Sequence, residues 1–176
     1  PKIDGVIHAA GIIHDNFIAK KTAEEFASVL KPKIDGLKNI AEIIKPRYCI
    51  VFSSVASSLG NAGQSDYASA NGFMDGFAAT HENYYAINWP LWASGGMHID
   101  AAAEELMRSQ GIELLPTDAG IIAFQEALGR GGATVLYGKR SKLQRMLNPV
   151  RKVVKISREN ISAELLEKLE EDLIQM

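Results

Sequence analysis

The stretch Cys49-Ile50-Val51-Phe52-Ser53-Ser54 is a short run of β-favouring apolar residues that ends in two serines. Three further apolar runs share this character: Val6-Ile7-His8-Ala9, Ala86-Ile87-Asn88-Trp89 and Thr134-Val135-Leu136-Tyr137. Continuous rather than alternating apolar runs are typical of parallel strands that are covered on both faces. Because helical patterns separate the runs, the sequence predicts an α/β fold with a doubly wound parallel sheet.

The intervening segments carry signals for helix starts and ends. Thr22 and Glu25 form a capping-box pattern, so a helix is expected to begin there. A second helix is expected from near Lys33 to Ile44, ending before Pro46. A third is expected over about Ser65 to Thr80. Two more helices are expected, with caps at Asp100 and Thr117.

The composition excludes several classes of protein. With 176 residues, 47% hydrophobic and 23% charged, the chain is long enough for one globular domain. Its formal net charge of -2 argues against a broadly basic nucleic-acid binder. No apolar run approaches the roughly 20 residues that cross a bilayer, so no membrane partner is expected. The single cysteine, Cys49, suits a cytoplasmic setting, and its lack of paired spacing with the four histidines predicts no metal site.

The composition changes after Pro149. We interpret residues 1–150 as part of one catalytic subdomain, and residues 151–176 as a linker followed by an acidic amphipathic helix. The leucine stripe of that helix fits either a surface helix or a docking helix for a neighbouring domain or chain. No G-x-G-x-x-G turn follows a predicted strand, and no P-loop is present. A nucleotide-dependent enzyme would therefore take its phosphate cradle from residues outside this sequence.

Four polar residues could carry chemistry together. Ser54 ends a strand at the carboxyl edge of the sheet, which is the usual ligand-facing edge. Tyr67 follows 13 residues later, and Asn71 lies four residues beyond it on the same helix face. Lys33 lies at the expected start of the preceding helix. Taken singly, Ser54 is as readily a strand-end cap and Tyr67 a surface residue of a helix, so the spacing alone is weak support.

Four segments, which follow one another in a fixed order along the chain, favour a functional interpretation of these residues. They are His8-Ala9-Ala10-Gly11, Phe52-Ser53-Ser54, Gly63-Gln64-Ser65-Asp66-Tyr67-Ala68-Ser69-Ala70-Asn71 and Asn88-Trp89-Pro90-Leu91-Trp92. Together they resemble the ketoreductase domain of modular polyketide synthases, a branch of the short-chain dehydrogenase/reductases. The finer likeness is to synthases served by free-standing acyltransferases. The resemblance spans roughly Ile3 to Tyr137 and implies the C-terminal half of a Rossmann-like domain.

The resemblance implies a role for each of the four polar residues. Tyr67 matches the proton donor, and Lys33 matches the lysine whose ammonium would lower the pKa of the phenol. Ser54 matches the hydroxyl that holds the substrate carbonyl, and Asn71 matches the amide that completes the network. Lysine and asparagine occupy swapped positions relative to most short-chain reductases. The neighbouring Lys31 is the alternative to Lys33.

The resemblance also implies NADPH as the cofactor. The matching positions are Ala9, Ala10, Gly11, Ser53, Pro90 and Leu91, together with Tyr67 and Lys33. A turn at Gly11 and a strand end at Pro90 would explain those two residues equally well.

Three residues are implied in substrate binding and stereocontrol: Asp15, Gln64 and Met97. Asp15 keeps the acid that marks one product configuration, although His14 before it departs from the family's pattern. Leu59 stands where the opposite class carries a tryptophan. The expected product is therefore the B-type, D-configured alcohol. Met97 follows Gly95-Gly96 at the start of a segment that is a mobile lid in the family, or else an ordinary surface loop.

The implied partners are an acyl carrier protein with a phosphopantetheine-bound β-ketoacyl chain, and an N-terminal ketoreductase half in the same or a partner chain. Without that half, the first strand would expose an apolar edge, so the isolated chain is expected to fold poorly and to bind no NADPH. Two alternatives remain open. One is another short-chain reductase that acts on free ketones, and the other is an inactive ketoreductase remnant that serves as a scaffold.

Overall fold

The computed structural model describes residues 3–97 and 99–147. They contain one parallel sheet of four strands in the order β1-β2-β3-β4. The strands are β1 (Gly5–His8), β2 (Tyr48–Ser54), β3 (Tyr84–Trp89) and β4 (Ala133–Thr134). The helices are α1 (Ala23–Asn39), α2 (Ala56–Leu59), α3 (Ser65–Thr80), α4 (Ala101–Gln110), α5 (Thr117–Arg130) and α6 (Arg140–Leu147). A 3-10 turn covers Ile18–Lys20, and a π-helical turn covers Ile40–Ile44.

Helices cover both faces of the sheet. Successive residues of β2 point to opposite faces and pack in two separate clusters. Cys49 and Val51 form a buried cluster with Leu37 of α1 and Met74 of α3. The opposite face of the sheet carries a second cluster, made of Ile50, Ile87, Trp89, Leu115 and Ala127, the last of which belongs to α5. The doubly wound α/β architecture is thereby confirmed.

The region around Lys33 differs from the prediction. No new helix begins there, since α1 runs without a break from Ala23 to Asn39 and contains Pro32. The stripe Val29, Lys33 and Leu37, spaced by one turn, is fully buried. Packing of that stripe outweighs the hydrogen bond that Pro32 removes, so the proline does not end the helix. The helical region ends before Pro46, as expected, with Lys45 in a left-handed conformation at φ 48°.

Strand β4 is shorter than predicted and covers only Ala133–Thr134. The Val135 amide still donates to Asn88 O at 2.9 Å. The next bond of a parallel ladder would need an amide hydrogen on Pro90, which has none. The expected strand over Val135 to Tyr137 is therefore wrong, because Pro90 ends the pairing.

Two of the three predicted helix caps are present in the structure, and the third is not. Thr22 and Glu25 make both bonds of the capping box, and the Asp100 carboxylate accepts from the Ala103 amide at 2.7 Å. Thr117 is not a cap, because it is already the first residue of α5, and Pro116 precedes it with no side-chain bond. Proline suits that position because its φ is preset and the start of a helix needs no donor from it.

On the described residues, β1 has a neighbouring strand on one side only. Ile7 in that strand is 54% exposed. The chain divides into two units, residues 1–143 and 144–176. The linker and acidic helix expected over 151–176 lie outside the described residues. Within the described part of the chain, no helix combines the length and the apolar character needed to span a membrane.

Candidate active site

A cavity of about 500 Å³ opens at the carboxyl edge of the sheet. Parallel strands end there in register, since Ser54 pairs with Trp89 and Ser53 with Asn88. The lining residues come from the loop after β1, from the ends of β2 and β3, from α1 and α3, and from the segment after β3. They are Ala9, Gly11, Ile12, Ile13, Lys33, Phe52, Ser53, Tyr67, Trp89, Pro90, Trp92, Gly96 and Met97.

Tyr67 is a buried residue of this cavity, with 7% of its surface exposed. It lies near the start of α3, where Asn71 follows one turn later and donates from Nδ2 to the Tyr67 carbonyl at 2.7 Å. Burial raises the pKa of the Tyr67 phenol, while polar contact with the Ser54 and Asn71 side chains lowers it in part. The three side chains expected to act together therefore lie together.

Lys33 extends from the middle of α1 to the same place. Its Nζ lies 5.4 Å from the centroid of the Tyr67 ring and donates to Phe52 O at 3.1 Å. Burial lowers the pKa of Lys33 to about 8, against the opposing field of the Asp75 carboxylate. Lys33 is thus still mostly protonated at neutral pH. The alternative Lys31 is exposed.

The expected effect of Lys33 on the phenol stays a prediction, because burial has the largest influence on the pKa of Tyr67 in this structure. The pKa of Tyr67 is raised rather than lowered, because loss of water around the phenol disfavours the tyrosinate. The ammonium lies over the face of the ring, where it interacts with the π system.

Ser54 and Asn71 border Tyr67 without lining the cavity. Ser54 Oγ accepts from the Ala56 amide at 3.2 Å, which is the strand-end capping contact considered for it. Asn71 is fully buried, and its carbonyl accepts from Ser53 Oγ at 3.4 Å. The serines at the end of β2 are thereby attached to both α2 and α3.

A polar network behind Ser53 and Ser54 was not foreseen from the sequence. Asn88 Nδ2 donates to Asp75 Oδ2 at 2.8 Å and to Ser57 Oγ at 2.9 Å, and Ser57 Oγ donates to Asp75 Oδ2 at 2.6 Å. The same amide lies 3.3 Å from Ser53 Oγ and Ser54 O. One signal could have pointed to it: Asp75 lies two turns after Tyr67 on the face that Asn71 shares.

Of the three residues assigned to stereocontrol, Met97 lines the cavity, whereas Asp15 and Gln64 do not and instead contact each other. Gln64 Nε2 donates to both carboxylate oxygens of Asp15, at 2.9 and 3.1 Å. Met97 lines the cavity and is 40% exposed. The loop with Asp15 therefore faces the start of α3, directly before Tyr67.

The residues predicted to hold a cofactor divide into two groups. Ala9, Gly11, Ser53 and Pro90 line the cavity, whereas Ala10 and Leu91 do not. The Leu91 carbonyl instead accepts from the Leu115 amide at 2.9 Å.

The loop after β1 leaves little room beside Lys33. A Cβ added at Gly11 would lie 3.0 Å from Lys33 Cε, so a side chain there would press on the lysine. Trp89 also lines the cavity, and its indole N–H is buried without a partner among the described residues. An open, partly apolar cleft with Lys33, Ser53 and Tyr67 among its lining residues fits a polar ring system such as a nicotinamide.

The comparisons with known proteins agree on one family. The family model described as KR domain matches residues 1–94. The chain is 44% identical over 148 residues to Polyketide synthase PksL of Bacillus subtilis (strain 168), which is 76% of this chain and 3% of that protein. It is 39% identical over 155 residues to Polyketide synthase ThaG of Burkholderia thailandensis, which is 79% of this chain and 3% of that protein.

Solved structures give the same result. A ketoreductase domain from the bacillaene assembly line matches with a TM-score of 0.77 and 40% identity, over 83% of this chain and 39% of that one. An N-terminal ketoreductase from the macrolactin assembly line matches with a TM-score of 0.72 and 37% identity, over 83% of this chain and 30% of that one. The chain thus spans a small part of the curated relatives and less than half of these solved domains.

Proposed function

Because the chain belongs to the KR domain family, we propose that it carries the catalytic residues for reduction of a β-ketoacyl thioester on an acyl carrier protein. The product is the β-hydroxyacyl thioester, and the setting is polyketide assembly. The observation that carries this proposal is the buried Tyr67, which lies at the cavity with Lys33 over its ring and Ser54 and Asn71 beside it.

NADPH, when bound, supplies the hydride that adds to the ketone carbon. Tyr67 donates its phenolic proton to the oxygen of the same ketone, so that the alkoxide is neutralised and the tyrosine is left as tyrosinate. Lys33 stabilises that tyrosinate with its positive charge, and its bond to Phe52 O keeps the ammonium near the ring. Ser54 holds the carbonyl oxygen by a hydrogen bond while the geometry is reached.

The cofactor is assigned to the cavity side that contains Ala9, Gly11, Ser53 and Pro90. The glycine at position 11 supports this, because it keeps the space beside Lys33 open, where an added Cβ would lie 3.0 Å from Lys33 Cε. The phosphate cradle is assigned to another part of the complete domain. Two observations support that: the chain covers 39% of the solved bacillaene ketoreductase domain, and the outer side of β1 has no strand among the described residues.

The product is assigned the B-type, D configuration. Asp15 supports the assignment, because its carboxylate is held by Gln64, three residues before Tyr67. The carrier-bound substrate is supported by the relatives, which are named polyketide synthases. A cytoplasmic setting is part of the proposal and is supported by the single, buried Cys49.

The experiment uses the complete domain, meaning this chain together with the remaining part of a ketoreductase domain. It is given NADPH and either a β-ketoacyl chain on an acyl carrier protein or a small free ketone. We expect reduction of the carrier-bound substrate, and a loss of about 100-fold or more in kcat for Tyr67→Phe. Tyr48→Phe is the matched control, since Tyr48 is exposed at the opposite end of β2.

Each other outcome contradicts a named part of the proposal. Reduction of the free ketone alone would replace the carrier-bound substrate with a small one. Absence of any reduction would support the alternative that the domain is an inactive remnant that serves as a scaffold. Full activity of Tyr67→Phe would remove Tyr67 as the proton donor.

A further inference from the structure

One buried ion pair lies beside the candidate site but takes no part in the chemistry proposed for it. Lys21 Nζ and Asp66 Oδ2 are 2.6 Å apart, and each side chain is 1% exposed. By contrast, the ion pair between Asp4 and Arg47 has side chains that are 64% and 75% exposed. A pair removed from water interacts far more strongly than an exposed one and is little screened by salt.

Each member of the pair has a second contact, and these contacts lie next to residues of the site. Lys21 Nζ also donates to the His14 carbonyl at 2.5 Å, directly before Asp15. Asp66 Oδ1 accepts from the Tyr67 backbone amide at 2.8 Å. A continuous path of polar contacts therefore runs from the backbone beside Asp15 to the backbone of Tyr67.

The loop after β1 depends on such contacts for its position. Residues 9–17 have no helix or strand, so no ladder of backbone bonds fixes them. The Asn16 amide donates to Gly63 O at 2.9 Å, and Gln64 donates to Asp15. The contact between Gln64 and Asp15 is exposed, where water competes for both groups. The ion pair adds a buried polar link to α3, which Lys21 Nζ extends to the His14 carbonyl of the loop. Ile13 of the loop also packs against the apolar cluster that contains Tyr67.

We infer that Lys21 and Asp66 are positioning residues, which hold the Asp15 loop at a fixed distance from Tyr67 and thereby determine which face of the ketone is reduced. This inference rests on the proposed function. Neither residue needs to touch the substrate. The pair instead sets the relation between the group that donates the proton and the loop that orients the acyl chain.

The principal variant is the double substitution Lys21→Met with Asp66→Asn, made in the complete domain. Removal of one charge alone would leave the other buried and unpaired, and would destabilise the protein strongly. The double variant removes both charges, while the amide oxygen at position 66 can still accept from the Tyr67 amide. The matched control is Asp4→Asn with Arg47→Met, which makes the same chemical change in the exposed pair at the other end of the sheet.

Two quantities are measured: the ratio of the two alcohol configurations, and the rate of amide hydrogen exchange at Asn16 and its neighbours. In the double variant we expect the fraction of the minor alcohol and the exchange rate of the loop each to rise by about ten-fold or more. The control pair should change neither. A general loss of stability would lower the midpoint of unfolding without a selective change at the loop.

Unchanged product ratio and unchanged exchange in a folded double variant would overturn the inference. If the double variant fails to fold, Asp66→Glu decides instead. It keeps both charges but lengthens the link by one methylene, so the same two changes are expected, and their absence overturns the inference. The exchange comparison needs no turnover. An inactive wild-type domain would therefore refute the proposed function, while the loop's exchange would still decide whether the pair fixes the loop.

Discussion

The ammonium nitrogen of Lys33 lies 5.4 Å from the centroid of the Tyr67 ring, inside a cavity that both residues line. Burial acts on both residues in the direction of their neutral forms, since the pKa of Lys33 is lowered and that of Tyr67 is raised. The two groups are thus a protonated amine and a protonated phenol at neutral pH. This is the state from which a phenol can give up a proton next to a stabilising charge.

The activity is expected to fall as the pH rises through about 8, the pKa of Lys33. Above that pH the amine is neutral and no longer stabilises the tyrosinate. The measurement is the pH profile of kcat/KM for the complete domain. Asp75→Asn should move the descending limb to lower pH, because the Asp75 carboxylate raises the pKa of Lys33.

Asp118→Asn is the control for that shift, because Asp118 is an exposed residue of the first turn of α5. It should leave the limb in place. A limb that does not move in Asp75→Asn would show that the carboxylate does not act on Lys33.

Lys33→Met is expected to abolish reduction and to stabilise the fold at neutral pH. Folding lowers the pKa of Lys33 from 10.5 to about 8, so the charged amine opposes folding. This destabilisation of the folded state has its full size below about pH 8 and disappears as the pH rises toward 10.5. We expect the free energy of unfolding to rise by about 1–3 kcal/mol at pH 7.

Denaturant unfolding of the complete domain, wild type against Lys33→Met, measures this difference. The gain should shrink when the measurement is repeated at pH 10, where the wild-type amine is neutral in the folded state. A variant that is less stable than wild type at both values would mean that the bond to Phe52 O and the contact with the Tyr67 ring outweigh the cost of burial.

The position of Lys33 also shows how far local sequence signals reach. Val6 to His8, Cys49 to Phe52 and the helix over Ser65 to Thr80 were predicted because continuous apolar runs and a helical repeat are local properties. The start of a helix near Lys33 was wrong, since Pro32 is a strong local signal that the buried face of α1 overrides. The shortened β4 likewise depends on Pro90, which directly follows another strand, β3.

The same contrast between local signals and long-range contacts applies to the candidate site. The positions of Tyr67 and Asn71 relative to each other could be predicted from helical spacing, and their contact is present. The pair of Lys21 with Asp66 joins residues 45 positions apart in the chain, and no local pattern marks it. The raised pKa of Tyr67 has no local signal in the sequence, because burial is a property of the packed fold and not of the residue's neighbours in sequence.

The alcohol produced by the complete domain is expected to have the D configuration. The reason is the position of Asp15, whose carboxylate is held by Gln64, three residues before Tyr67. Chiral chromatography of the product, released from the carrier protein, measures the configuration. An excess of the L-alcohol would contradict the assignment of Asp15.

The 176-residue chain alone is expected to unfold without a cooperative transition and to bind no NADPH. Ile7 of β1 is 54% exposed next to an edge that has no strand among the described residues. An exposed apolar edge favours association between chains over a single folded state. Thermal unfolding with and without NADPH, compared with the complete domain, measures this. A cooperative transition that NADPH shifts upward in the chain alone would contradict it.

Cys49 lies in the cluster with Leu37, Val51 and Met74, and burial raises the pKa of its thiol to about 11. Thiol-directed dyes attack the thiolate, so this sulfur should stay unmodified in the native protein. A second cysteine introduced at exposed Met97 would then accept a fluorophore by itself, without replacement of Cys49. In the complete domain, the packing of a single strand residue thus leaves position 97 available for fluorescence measurements of movement at the mouth of the cavity.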